Sequence, residues 1–347
     1  MPAPVAINAR AAVRAEIGGV ERVAREMTAR LPAVRPDRYR VLSPPAGMAH
    51  RLGHGWEQVA LPLGARGARL IYSPANLAPL RSSRNVVVIH DAAALRRPEW
   101  YSRPYVEYQR RMLPAIAGRA RQLITVSEFS RRELAAALGV AADRIAVIPN
   151  GVDEKRFSPR ADPAPARAAL GLDDRPYALT VGTRIARKNA AALEGARRRL
   201  EGAGIELVAA GSGRAYMRAG ERPPARALGY VPDHLLPGLY AGAELLLMPS
   251  LYEGFGLPCL EAMASGVPVV AADRGALPET CGGAALLVDP DDPGALAAAA
   301  LTAAADGGRR AELTQAGLQR AAELTWDRAA SETDALIGRL LGDPPSG

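Results

Sequence analysis

In the run EGFGLPCLE, Glu253 and Glu261 bracket two glycines and a proline. The apolar stretch Leu245 to Met248 before it reads as a buried strand, and Pro249, Ser250 and Tyr252 turn the chain outward. Glu253 is therefore expected on a loop at a strand's carboxyl end. Gly254 and Gly256 allow close backbone approach, and Pro258 suits the first turn of a helix that carries Leu260, Glu261 and Met263 and stops at Gly266. The amides from Phe255 to Leu260 are then partly unpaired. Free amides at a helix start attract phosphate, and a carboxylate has the acceptor geometry for a vicinal diol. A diphosphate-linked sugar offers both groups. Taken by themselves, two glutamates at this spacing are equally ordinary surface acids.

The elements that would position these residues alternate along the chain. Runs at Val5 to Ile7, Val86 to His90, Leu123 to Val126 and Ile145 to Ile148 read as strands, and stretches near Val20 to Leu31, Pro104 to Ala117 and Glu128 to Leu138 read as helices. Arg156 to Asp174, rich in proline and alanine, reads as a hinge. A second series has strands at Tyr177 to Val181, Leu207 to Ala210, Leu245 to Met248, Val269 to Ala272 and Leu286 to Val288, and ends in a helical tail. Such alternation gives parallel sheets covered on both faces. The expected fold class is α/β: two Rossmann-like, doubly wound domains facing each other across a cleft, as 347 residues allow. The expected boundaries are 1–158, 159–325 and a closing helix over 326–347.

Open parallel sheets bind ligands beyond the carboxyl ends of their strands, which singles out three more loops. Gly18 and Gly19 precede the first helix, where they form either a plain turn or an anion-approaching helix start. His90, followed by Asp91, ends a strand and is either a structural histidine or a cleft residue. Arg184, Arg187 and Lys188 lie in VGTRIARKN, where cations and helix-start amides would suit a departing diphosphate. Of the remaining histidines, His50 and His54 fall in a glycine-rich stretch and His234 reads as a surface residue.

The stretch PSLYEGFGLPCLEAMASGVPVVAADRGALPE, Pro249 to Glu279, closely resembles the donor-site block of the retaining GT-B glycosyltransferases of family four. Further similarity runs through TVSEFSRREL, VIPNGVD, the turn at Gly211 to Gly213 and LTWDRAASETDALI. The resemblance implies that Glu253 holds hydroxyls of the transferred hexose, that Glu261 holds the ribose, and that the backbone of Phe255, Gly256 and Leu257 meets sugar and phosphate. It places Arg187 and Lys188 on the donor phosphates, with Arg184 as a third contact, and His90 beside the donor sugar or the acceptor. The glycine pair Gly18 and Gly19 falls near the diphosphate or the acceptor. The chain departs from the family pattern at Thr183, Ile185 and Ala186. The GTRIARKN and IHD variants look most like bacterial mannosyltransferases, so the implied donor is GDP-mannose, with a UDP-hexose or dTDP-deoxysugar as alternatives. The family retains anomeric configuration.

Cleaving a sugar–phosphate bond develops positive charge at the anomeric carbon and negative charge on the diphosphate. Arg187, Lys188 and the helix amides could stabilise the latter, and no DxD-type acidic cluster stands beside a phosphate loop. The expectation is a metal-independent hexosyltransferase with no cofactor. An epimerase or phosphorylase of the same fold acting on a related sugar is the alternative.

Charge separates by position. Residues 1–158 hold 25 Lys and Arg against 13 Asp and Glu, leaving 19 against 23 in the remainder. A basic first half would favour an anionic or lipid-linked acceptor, peripheral contact at the inner face of a membrane, or nucleic acid. Only Lys155 and Lys188 among the 44 basic residues are lysines, so the arginine excess is partly compositional, and no stacking platform or recognition motif supports nucleic acid. Tyr105, Tyr108, Met112 and Ile116 form one face of a helix whose arginines lie largely elsewhere. That pattern suits either a core-facing helix or membrane contact. Two cysteines without metal spacing, and no signal-peptide pattern, lead to a cytoplasmic expectation.

Overall fold

The computed structural model describes residues 3–45, 48–51, 53–182, 185–213 and 216–343, with residues 50 and 51 by backbone alone. The first series runs β1 (Val5–Asn8), α1 (Gly19–Val34), β2 (Tyr39–Leu42), α2 (Met48–Arg51), α3 (Gly53–Gln58), α4 (Ala60–Gly64), β3 (Leu70–Ser73), β4 (Asn85–Val88), α5 (Ala93–Arg96), α6 (Arg103–Arg119), β5 (Gln122–Thr125), α7 (Glu128–Leu138) and β6 (Ile145–Val147). The second runs α8 (Ala164–Leu170), β7 (Tyr177–Val181), α9 (Leu193–Gly202), β8 (Glu206–Ala210), β9 (Arg226–Gly229), α10 (Leu236–Ala241), β10 (Leu245–Met248), α11 (Leu257–Ala264), β11 (Val269–Ala272), α12 (Leu277–Cys281) and β12 (Leu286–Val288). Three helices close the chain: α13 (Pro293–Ala305), α14 (Gly307–Glu323) and α15 (Trp326–Leu341).

Two compact units result. Unit 1 comprises Met1–Arg96, Val106–Asn150 and Trp326–Gly347; unit 2 comprises Arg97–Tyr105 and Gly151–Thr325. Each is built on a six-stranded sheet, ordered β2-β1-β3-β4-β5-β6 in unit 1 and β12-β11-β10-β7-β8-β9 in unit 2. All pairings are parallel, for example Ile7 opposite Tyr72 and Leu246 opposite Leu179. Strands such as β4, β10 and β11 are buried along their whole length, which is why they read as continuous apolar runs. In unit 1, Val87, Ile89 and Leu123 pack with Leu113 and Ile116 of α6 and Leu134 of α7. In unit 2, Ala178, Leu245, Leu247 and Val270 pack against Leu193 and Leu200 of α9 and Leu296 and Ala300 of α13.

Strand order matters for function. In each sheet the chain winds outward to one side and then returns to the other, leaving a crevice between β1 and β3 in unit 1 and between β7 and β10 in unit 2. Side chains at the carboxyl ends of such strand pairs have room to receive a ligand.

Three strands exceed the expectation. β2 and β9 are edge strands with half-exposed patterns, and β3 is a four-residue run ending in serine, so none offers a long apolar signal. The proline- and alanine-rich passage is folded into unit 2. Phe157 is buried there, α8 buries Ala166, and Gly238 lies so close that a Cβ on it would come within 2.4 Å of the Asp162 carbonyl. Most of the apolar stripe of α6 faces the unit 1 core, with Tyr108 and Met112 packed beside Leu113 and Ile116, whereas Tyr105 stacks on Tyr216 in unit 2. The last helix, α15, packs on α1. Its Asp334 carboxylate accepts from Arg38 Nη1 and from the Tyr39 hydroxyl, both at 2.7 Å, and Arg38 also pairs with Asp343.

Candidate active site

The β10–α11 connection carries Glu253. Gly256 caps α11 with φ of +108°, and a Cβ there would press to 2.7 Å from Leu277, so the sharp entry into the helix requires glycine. Pro258 occupies the first turn, and Cys259 N–H donates to the Gly256 carbonyl. By helix geometry the Leu257 amide has no acceptor within α11. The Phe255 carbonyl is held by the Thr280 hydroxyl at 2.6 Å. Glu261, one turn further along, is buried within the same helix. Both acids are shielded from bulk solvent: Glu253 is 7% and Glu261 4% exposed.

The loop after β7 meets this segment. Leu251 N–H donates to the Arg187 carbonyl, and Arg187 Nη1 donates back to the Tyr252 carbonyl, both at 2.8 Å. Glu253 Oε1 then lies 2.8 Å from Arg187 Nη1 and 2.8 Å from Lys188 Nζ. Lys188 reaches this position across Gly182, where a Cβ would come within 2.5 Å of Lys188 Cε. Burial alone would raise the Glu253 carboxyl; the two cations reverse that and hold it down at about 2. Burial pushes the Lys188 ammonium below the usual lysine range, against the pull of Glu253 and with the help of Arg187. Glu253 is thus a fixed anion with both adjacent cations oriented by it. Arg184 lies outside the described residues.

At the same carboxyl edge an open pocket encloses ≈ 410 Å³ of empty space, solvent included, lined by Thr180, Gly182, Lys188, Ala210, Glu221 and Ser250 among others. Glu221 and the fully buried Ser250 were not legible as site residues. Ser250 stands two residues beyond the end of the apolar strand, a position that could have flagged it, whereas Glu221 reaches the pocket from a long connection and carries no local signal. Cys259 and Cys281 are buried, and their mutual hydrogen bond raises the Cys259 thiol, so both are packing residues. Glu279, beside them on α12, turns outward.

The other candidates belong to unit 1. Gly18 is the N-cap of α1, and its N–H donates to Glu21 Oε2 at 3.1 Å, with Arg14 pairing to the same carboxylate. The first intrahelical bond is that of Arg22 N–H to the Gly18 carbonyl, so the amides of Gly19 and Val20 have no acceptor within α1. His90 is buried. Its Nε2 lies 2.8 Å from the Pro74 carbonyl, its N–H donates to Asn76 and its carbonyl accepts from Ser130. Since a carbonyl only accepts, Nε2 bears the proton. Burial pushes the pKa down, so the ring is neutral with Nδ1 as an acceptor. His54 is in edge contact with Tyr108 and 3.8 Å from Glu57, while His234 is exposed in a turn. Among the described residues, no cluster of three or more His, Cys, Asp or Glu is arranged to hold a metal, and no helix is long and apolar enough to cross a membrane.

Two parallel doubly wound units, with a buried acid and two cations at a strand crossover, define the GT-B class of sugar-transferring folds. Sucrose-phosphate synthase from Thermosynechococcus elongatus has this fold, with a TM-score of 0.74 at 21% identity over 98% of this chain and 99% of its own. The profile described as Glycosyltransferase Family 4 matches residues 65–156, and that described as Glycosyl transferases group 1 matches residues 175–306. An O-antigen chain mannosyltransferase B of Escherichia coli is 33% identical over 76% of this chain and 72% of its own length. A GDP-mannose-dependent alpha-(1-6)-phosphatidylinositol monomannoside mannosyltransferase of Mycobacterium tuberculosis is 33% identical over 63% of this chain and 61% of its own. The chain belongs to the group 1, family 4 glycosyltransferases.

Proposed function

We propose that this glycosyltransferase moves a mannosyl unit from GDP-mannose to an acceptor hydroxyl with retention of anomeric configuration and without a metal ion. The carrying observation is the Arg187–Glu253–Lys188 cluster, in which the acid expected to hold hexose hydroxyls and the cations expected to face the phosphates are in contact. A sugar–phosphate linkage needs those two chemistries within a few ångströms of each other. Two fixed cations supply charge to a departing diphosphate, the task a divalent ion performs elsewhere. The Leu257 amide adds a donor at the helix start. Glu261 takes the ribose, His90 Nδ1 accepts from a hydroxyl of donor sugar or acceptor, and the Gly19 amide faces the diphosphate or acceptor. The mannosyltransferase names of the relatives favour mannose over other hexoses. A lipid-linked or anionic acceptor, reached from a membrane surface at the cytoplasmic side, suits the basic first half of the chain.

A thermal-shift screen of GDP-mannose, UDP-glucose and dTDP-sugars tests the donor, since a ligand at a hundred times its dissociation constant adds about 2.7 kcal/mol of stability. GDP-mannose is expected to give the largest shift. Turnover that survives EDTA and an α-configured product by NMR complete the test. Stabilisation by a uridine or thymidine donor alone would replace the assignment, and a β-configured product would remove retention.

A further inference from the structure

Residues Arg97–Tyr105 lie far from the donor loops in sequence yet belong to unit 2. Tyr101 pairs antiparallel with Met217, the Trp100 carbonyl accepts from Arg218 N–H at 3.0 Å, and Ser102 N–H donates to the Tyr216 carbonyl at 3.0 Å. Tyr105 stacks on Tyr216 with ring centres 4.6 Å apart. The segment so gripped continues to Ala219, which pairs antiparallel with Ile185 at the start of the Arg187–Lys188 loop. On its other side, the buried Trp100 ring meets Tyr252 edge to face at 6.2 Å. Tyr252 precedes Glu253, and its carbonyl holds Arg187.

We infer that Trp100 is a positioning residue for the Arg187–Glu253–Lys188 cluster: the excursion 97–105 braces both catalytic loops at once, one through Tyr252 and the other through residues 216–219. The inference rests on the donor assignment above. Arg97 lies over the indole, 4.9 Å from the ring centre.

The test compares Trp100→Leu, which keeps apolar bulk, with Trp100→Phe, which keeps an aromatic edge. Measured are turnover at saturating GDP-mannose, the dissociation constant of GDP alone, and thermal unfolding. In the leucine variant turnover falls roughly tenfold or more, the scale of a small misplacement of reacting groups. GDP affinity falls by less than turnover does, because misplaced Arg187 and Lys188 cost more as charge develops on the departing diphosphate than they do in the bound ground state. Phenylalanine restores most of the turnover. Unchanged turnover in the leucine variant, or turnover and GDP affinity lost in equal measure together with a lowered unfolding temperature, would overturn the inference and leave Trp100 a packing residue. A wild-type protein that neither binds nor turns over any sugar nucleotide would instead remove the donor assignment itself.

Discussion

Lys188 and Glu253 share one contact but titrate in ways that experiment can separate. Because burial and Arg187 depress the Lys188 ammonium, the alkaline limb of kcat/KM in the free enzyme should fall below the usual lysine range. Lys188→Arg should move that limb upward, and a limb that stays in place would assign it to another group. Lys188→Ala should lower turnover by about 10², the scale of losing one preorganised electrostatic donor, as steady-state kinetics would show. Glu253 obeys the opposite sign. Its folded value of about 2 lies below the ordinary 4.5, so its contribution to stability is complete above about 4.5 and is lost as pH falls toward 2. Urea unfolding of wild type and Glu253→Gln should therefore show a stability gap that narrows on acidification through that window.

At the scale of elements, the loop after β7 works because Gly182 leaves room for Lys188 to cross it. Gly182→Ala places a methyl group against the flexible end of that side chain and demands a φ of +158° from alanine. The backbone cost is about 1–3 kcal/mol. The expected result is a folded protein of reduced stability whose turnover approaches that of Lys188→Ala, and normal turnover would show that Lys188 reaches Glu253 by another path. The same loop shows where local reading stops. Its basic residues and its place after a strand were legible from VGTRIARKN, but that Arg187 would exchange hydrogen bonds with Leu251 and Tyr252 was not, because those partners come from a separate strand end.

For the whole molecule, each unit is completed by chain from elsewhere. Unit 1 takes α15, whose Asp334 meets Arg38 and Tyr39 nearly three hundred residues away in sequence. Asp334→Ala removes one of the two carboxylates that pair with the buried Arg38, Asp343 remaining, and takes the acceptor from the Tyr39 hydroxyl, so it should cost about 1–3 kcal/mol in calorimetric unfolding, with GDP affinity of the folded protein unchanged. A cost below 1 kcal/mol would mean that apolar packing alone holds the helix. The alternating apolar runs determined by themselves that the protein is a pair of parallel α/β units, since central strands covered on both faces must be apolar throughout. The EGFGLPCLE segment likewise disclosed a loop, a helix start and two acids, because glycine and proline constrain the backbone locally. Only the tertiary structure decided that β7 lies beside β10, which sets Arg187 and Lys188 against Glu253 and gives the carboxylate its charge at every physiological pH. Strand order is a property of how whole sheets bury their faces, and no short stretch of residues encodes it.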